Sequence, residues 1–407
     1  MKKMKITDVR VTQVTVPFAK FEKFAPVSMW YMTRHSNYGT CVTFIDTDEG
    51  ITGVSTQNVI GTAGTPDVIM NQIKPLLIGQ DPFNIEKIEM DKRIGGGGVT
   101  VPKFGTKTVA VIDIALWDII GKACNKPLYK LWGGKIHDPI HVRYWLCDLP
   151  PKEQAAEALK AVEAGFKSFK IKLGHDPKID VECAKAVREA VGDDVELNFD
   201  INGGYPLSCA MRTLPKIVKV AEPASIEEPI PNSWPWDQAS LEGMAELRKI
   251  VGVPIEAHSH GPNVEEFVRL LIEKRAADAF HTKPGFSGGI LQCKRLCAMA
   301  GMGGIKVTGQ SSAAELGPNN AAILHLITST REFTGTNDSS THLLEPPSWD
   351  IIKNEFRIIN STLKVPEGPG LGVEIDPEKL KKSERLWEEK KYPHEPGIGR
   401  TNTYLWG

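Results

Sequence analysis

Two rhythms of hydrophobic and polar residues divide this chain. From about Ile140 onward, short apolar runs alternate with longer segments of helical spacing. The runs are HVRYWL, KSFKIK, VELNFD, ASIEE, VPIEAH, DAFHTK and GIKVTG, with an eighth expected near THLLE. Between them apolar residues recur three and four apart, as in Lys152–Ala164 and Val264–Lys274, which reads as amphipathic helix. Repeated strand–helix units of this length imply parallel strands joined by right-handed crossovers. The pattern predicts an α/β fold built on a (β/α)8-type barrel. An open doubly wound sheet obeys the same rhythm, but polar residues closing many of the strands favour the barrel, which carries its chemistry at the carboxyl ends.

The first 60 residues follow a different rule. ITDVRVTQVTV, GTCVTFIDTDEG and ITGVST read as strands, the last two joined by a tight turn at Asp48–Glu49–Gly50. The aromatic and basic stretch FAKFEKFAPVSMWYMTRHSNY has no period and reads as a long loop. Helical spacing returns at about Thr65–Leu77, Pro82–Arg93 and Lys107–Cys124, the last apolar enough to be buried. The Gly95–Gly98 run lacks the GK[ST] and strand–helix context of a phosphate cradle and reads as a hinge. NKPLYKLWGGK marks a boundary, giving an N-terminal α+β domain over 1–135, a barrel over 136–364 and a terminal segment, 365–407, that is Pro- and Gly-rich before it becomes highly charged.

A chain of 407 residues, 41% hydrophobic, suits a barrel of ~250 residues plus a second domain. With 49 basic and 50 acidic residues and no basic stripe, no nucleic-acid partner is expected. No apolar run approaches the ~20 residues of a membrane span, and the start alternates like a strand rather than a signal peptide. The seven cysteines include no CxxC, so reduced thiols in a cytoplasmic protein are expected; Cys293 and Cys297, four apart, are poor evidence for zinc.

The strand ends carry the chemistry. Lys170 and Lys172 are two apart and share a face, which in a barrel is the interior. A surface strand with two solvated lysines would leave only Phe169 and Ile171 to bury. Asp200 and Glu227 end the next two strands, and oxygen ligands from separate strands suit Mg²⁺. Either residue alone would read as a helix cap or surface charge. Glu228 is expected to point the opposite way, toward the surrounding helices. Next, VPIEAHSH puts Glu256, His258 and His260 on one side. His258 stands where a third ligand belongs, and an imidazole there would favour Mn²⁺ or another transition metal; a core or substrate-binding histidine fits equally. Lys283 ends the following strand, across the mouth from Lys172, and two lysines flanking a bound carboxylate can work as base and acid on opposite faces. Asn202, His260, Gln310 and Glu315 are candidate substrate contacts, with Glu315 equally readable as a helix N-terminal charge. Trp30 and Tyr31, with Phe18, Phe21 and Phe24, either line the pocket or form core of the N-terminal domain.

Taken in order, VIDIALWDIIGKACNKPLYKLWGG, GFKSFKIKLG, FDIN, IEEP, KPGFSGG, ELGPNNAAILHL and GPGLGVEID resemble the mandelate racemase/muconate lactonizing enzyme group of the enolase superfamily. The resemblance implies a modified TIM barrel whose cap is formed by the N-terminal segment and the C-terminal tail, a divalent metal, a small carboxylate substrate and a homo-oligomer. It makes Lys172 and Lys283 the acid–base pair, Lys170 a support for the substrate carboxylate, and Asp200 and Glu227 metal ligands. The absence of a histidine between Lys283 and His325 removes a His–Asp dyad and favours the lysine-pair, muconate lactonizing-like branch. The group's acidic third ligand is replaced here by His258. The reaction expected is abstraction of the proton α to a carboxylate, giving an enediolate, then racemisation, epimerisation or cycloisomerisation. Dehydration of a hydroxy or sugar acid is the alternative, and a barrel that has lost activity and only binds is the second.

Overall fold

The computed structural model describes residues 3–17, 27–28, 33–34, 37–58, 65–91, 105–147, 149–232, 238–258, 263–311, 315–339, 341 and 350–390. Three antiparallel strands, β1 (Ile6–Pro17), β2 (Asn37–Thr47) and β3 (Thr52–Asn58), form one sheet in the order β1–β2–β3. The turn between β2 and β3 closes where Gly50 takes a positive φ of 73° and donates to the Thr47 carbonyl at 3.2 Å. Helix α1 (Thr106–Ala123) packs on this sheet, and because residues all around it are apolar it is buried on nearly every side. A Cβ at Gly53 would lie 2.0 Å from the Ala115 carbonyl oxygen, so glycine is what lets β3 approach α1. The helical stretch 65–77 is interrupted by a π turn at Ile69–Ile73, just before Pro75, which has no N–H to continue the ladder. The next helix is shorter than the spacing suggests, Ile85–Glu89.

The second rhythm builds a barrel. Its strands are β4 (Ile140–Leu146), β5 (Ser168–Lys172), β6 (Glu196–Asp200), β7 (Ser225–Glu227), β8 (Ile255–His258), β9 (Ala279–Thr282), β10 (Lys306–Gly309) and β11 (Asn337–Asp338). Neighbours pair in parallel from β4 through to β10, and β11 pairs with β4. The ring closes through a parallel bridge, Val307 to Phe333, and a hydrogen bond from the Gly309 amide to Asn337 Oδ1 at 2.7 Å. The eighth strand therefore lies before THLLE, and it is only two residues long. Intervening helices, among them Pro151–Glu163, Pro177–Val191, Leu207–Ala221 and Val264–Lys274, bury their apolar faces on Phe169, Ile171, Leu197, Phe199, Ile226 and Phe280. These strand residues face outward, so the alternate positions face the axis.

After the barrel the chain returns to the N-terminal sheet. The Leu371 amide donates to Asp118 of α1 at 2.9 Å, and the helix Pro377–Lys390 packs on β1, with Thr12 Oγ1 donating to Glu384 at 3.0 Å. All seven cysteines are free thiols. Among the described residues no helix is long and apolar enough to cross a membrane.

Candidate active site

The axis of the barrel is ionic rather than apolar. Lys170, Lys172, Asp200, Glu227, Glu256, His258, His281, Lys283 and Asp338 are all at most 6% exposed. Register sets them side by side, pairing Lys172 with Asp200, Asp200 with Glu227, Glu227 with Glu256, and His258 with His281.

At the mouth, Lys172 Nζ donates to Asp200 Oδ2 at 2.5 Å and to Asn202 Oδ1 at 2.9 Å. Asn202, in the left-handed region at φ 47°, also donates its amide to Asp200 Oδ1 at 2.9 Å, so it orients both groups. Two residues back along the same strand, Lys170 Nζ reaches Asp338 at 2.7 Å, Glu227 at 2.8 Å and Asp200 at 3.2 Å. Burial opposes its charge, but these three carboxylates outweigh burial and hold the ammonium well above the ordinary lysine value. Asp200 is driven down to about 2, because the Lys172 and Lys170 charges overcome its burial. Glu227 is pushed up to about 7 by burial and then by the Asp200 charge, with His281 and Lys170 pulling the other way.

Below lies a belt that sequence reasoning missed. Arg143 Nη2 donates to Glu256 Oε1 at 2.9 Å and its Nη1 to Oε2 at 3.4 Å. Glu256 also accepts from Ser225, and from Thr308 at 3.0 Å. Burial works against the Glu256 charge, but Arg143 and then His281 bring it down to about 2. The His281 ring bridges Thr308 Oγ1 at 2.7 Å and Asp338 Oδ2 at 3.0 Å. Alternation gave a usable signal for His281, two residues before Lys283 on the same face. It gave none for Asp338, whose strand is too short to show a period.

Across the ring from Lys172 stands Lys283, the residue that follows β9, four strands away around an eight-strand ring. It pairs with Glu315 and lies 4.5 Å from the centroid of the Phe286 ring. Lys172 has an equivalent aromatic neighbour in Trp145, at 4.8 Å. Glu315, buried, accepts a second hydrogen bond from Asn319 Nδ2 at 2.6 Å, so it is a partner of the second lysine rather than a plain helix-end charge. Gln310 sits at the end of β10, its amide donating to the Thr282 carbonyl at 2.9 Å. Trp30, Tyr31 and His260, with Phe18, Phe21, Phe24 and the Gly95–Gly98 run, lie outside the described residues.

Among the described residues two groups bring their ligating atoms within 4.8 Å of one another, Asp200 with Glu227 and Glu228, and Glu227 with Glu256 and His281. Both groups are hydrogen-bonded to cationic side chains, Asp200 and Glu227 to Lys170 and Glu256 to Arg143, but the first consists of carboxylates alone and lies at the strand ends beside Lys172, which makes it the better site for a hard cation. The expectation that Glu228 points away toward the helices is overturned. At φ 43° its backbone is left-handed, strand alternation fails there, and the buried carboxylate turns to the same side as Glu227. His258 is in neither group; its ring stands edge-on to Phe286 at 4.8 Å and 5.7 Å from that of His281. Three carboxylates suit a hard divalent cation such as Mg²⁺.

An eight-strand barrel with an N-terminal sheet cap, paired lysines across its mouth and carboxylates at consecutive strand ends defines an acid–base enzyme of the enolase type. The chain belongs to the mandelate racemase/muconate lactonizing enzyme group of the enolase superfamily: residues 10–133 match that group's N-terminal domain and residues 153–379 match the enolase C-terminal domain-like family. It is similar to an N-succinyl-L-Arg/Lys racemase of Bacillus cereus, 30% identical over 93% of this chain and 97% of the relative. It is also similar to an arabinonate dehydratase of Saccharolobus solfataricus, 30% identical over 82% of this chain and 87% of the relative. The crystal structure of N-succinyl Arg/Lys racemase from Bacillus cereus superposes with a TM-score of 0.81 over 93% of this chain and 98% of that one, at 28% identity. The protein is an isomerase or lyase of this superfamily.

Proposed function

We propose that this protein abstracts the proton α to a substrate carboxylate and returns it to the opposite face, as a racemase or epimerase of an amino-acid derivative. The observation that supports the reading is that Lys172 and Lys283 lie at the carboxyl ends of barrel strands four apart, each with its own anchor. Similarity to the racemase of Bacillus cereus supports the substrate class. Asp200, Glu227 and Glu228 would hold a divalent metal, Mg²⁺ by the hardness of their oxygens, with Glu228 rather than His258 as the third donor. When bound, such an ion supplies positive charge that makes the α-carbanion less costly.

The chain's own residues do the rest. Lys170, kept protonated by three carboxylates, supplies a fixed positive charge beside the place where negative charge develops. Asn202 aims Lys172, and Glu315 aims Lys283. One lysine takes the α-proton while the other, protonated, delivers from across the mouth; for the mirror-image substrate the roles exchange. Burial of both amines excludes bulk water from the exchange.

The test is proton exchange in D₂O. Wild type should place deuterium at Cα of both enantiomers. Lys172→Met should abolish exchange from one enantiomer and Lys283→Met from the other, each by about 10²-fold or more. Loss of the same enantiomer in both variants would overturn the opposite-face arrangement, and formation of a keto acid in place of exchange would assign the chain to the dehydratases.

A further inference from the structure

Two acidic side chains meet behind the second lysine with no donor between them. Asp113, in the middle of α1, is 1% exposed, and Glu89 ends the short helix Ile85–Glu89 that packs on α1. Their carboxyl groups are hydrogen-bond partners. Yet Asp113 Oδ2 and Glu89 Oε1 are both buried, and among the described residues no donor reaches either atom. An ionised carboxylate only accepts, so two of them cannot bond unless one carries a proton.

The surroundings decide which one. Burial, then the Glu89 charge, holds the Asp113 carboxyl well above the ordinary carboxylate range, with the Ile290 amide and the Trp117 indole pulling the other way. Burial raises Glu89 too, but it accepts from Asp113 and feels the Arg295 guanidinium, while Glu86, the ion-pair partner of Arg295, opposes its charge. Asp113 is therefore the donor and Glu89 the anion.

The other oxygen of Asp113 holds the barrel. Oδ1 accepts from the Ile290 amide, at the start of the helix Ile290–Met302. Gly289, at φ 124°, permits the contact, since a Cβ there would lie 2.6 Å from Asp113 Cγ. Just before it comes the Pro284–Ser287 turn, whose Phe286 ring centroid is 4.5 Å from Lys283 Nζ.

We propose that Asp113 and Glu89 share one proton at neutral pH, and that protonated Asp113 is a positioning residue for the turn that follows Lys283. The shared proton fixes the Asp113 carboxyl group so that Oδ1 stays aimed at Ile290; two carboxylates would repel and turn it away. The pair stands apart from the α-proton chemistry proposed above, in which Lys283 takes part, so either can fail alone.

Infrared difference spectra of wild type against Asp113→Asn, in D₂O at pH 7.5, should show the carbonyl stretch of a protonated carboxyl group. Glu89→Gln should shift or remove that band. No such band in wild type, or one that Glu89→Gln leaves in place, overturns the shared proton. The positioning role is read from the protection of the Ile290 amide against hydrogen exchange. Asp113→Ala should lower it by about tenfold, the worth of one buried hydrogen bond. Asp113→Asn, which can accept from Ile290 and donate to Glu89, should restore it. At alkaline pH, once the infrared band is lost, protection should fall in wild type and hold in Asp113→Asn. Unchanged protection in Asp113→Ala, no rescue in Asp113→Asn, or the same pH response in wild type and Asp113→Asn overturns the role.

Discussion

Replacing Arg143 with methionine tests whether the ionic belt under the site is what keeps the barrel folded. Arg143 is 3% exposed, forms both hydrogen bonds to Glu256, lies 3.7 Å from Asp338 and donates to Thr336 at 3.1 Å. Methionine fills much of the same volume but leaves the Glu256 carboxylate buried with only Ser225, Thr308 and the neighbouring His281. Removing one partner of a buried ion pair costs about 3–5 kcal/mol. At roughly 2–4 °C per kcal/mol for a domain of this size, Tm should fall by roughly 6–20 °C. The sign of the pH dependence is fixed as well. Without the guanidinium, burial dominates and the folded-state pKa of Glu256 rises above its unfolded value. The deficit is then largest at neutral pH and shrinks as pH falls and the carboxyl takes up a proton. Urea unfolding followed by tryptophan fluorescence at pH 7.5 and pH 5 measures both effects. Arg143→Met combined with Glu256→Gln should recover part of the loss, because the stranded charge is gone. A deficit under about 1 kcal/mol at pH 7.5, or a double variant no better than the single one, would refute the reasoning.

Three further outcomes are expected. Glu228→Gln should weaken Mg²⁺ or Mn²⁺ binding by at least about tenfold while His258→Asn changes it little, measured by calorimetric titration; the reverse order would return the third donor to His258. His325 is buried, accepts from the Tyr129 amide at Nδ1 and donates from Nε2 to the Leu371 carbonyl at 3.1 Å, and burial brings its pKa down to about 4. Because the unfolded imidazole binds a proton near 6.5 and the folded one does not, this group's stability is present above pH 6.5 and lost toward pH 4, by about 3 kcal/mol. His325→Leu should flatten that part of the urea-midpoint profile, and an unchanged slope would sink the assignment. Gly53→Ala should destabilise the N-terminal sheet by about 1–3 kcal/mol through overpacking against α1, and a silent Tm would show that the two elements can part without cost.

The barrel was readable because its strands keep their outward faces apolar while the intervening helices keep a helical period. Val264–Lys274 is found where the spacing puts it, and each of the first seven strands overlaps its expected run. Lys172, Asp200, Glu227 and Lys283 were readable for a related reason: a polar residue ending an apolar run has little packing purpose. What escaped was whatever broke the period. Glu228 reverses its face through one left-handed residue, which no alternation rule anticipates. Asp338 lies on a two-residue strand, and the Arg143–Glu256 pair joins positions 113 residues apart.

The buried hydrogen bond that Asp113 of α1 accepts from the Ile290 amide, just after the turn that follows Lys283, bears on how such enzymes can be recombined. The turn after Lys283 is moored to the N-terminal domain as well as to its own barrel, where Ser287 meets Thr282 at 2.8 Å, so an evolutionary or engineered exchange of that domain severs one of the two moorings. Chimeras between relatives would have to transplant the 284–290 turn together with α1, which makes the natural seam for domain shuffling run inside the barrel's sixth loop instead of at the linker near residue 135.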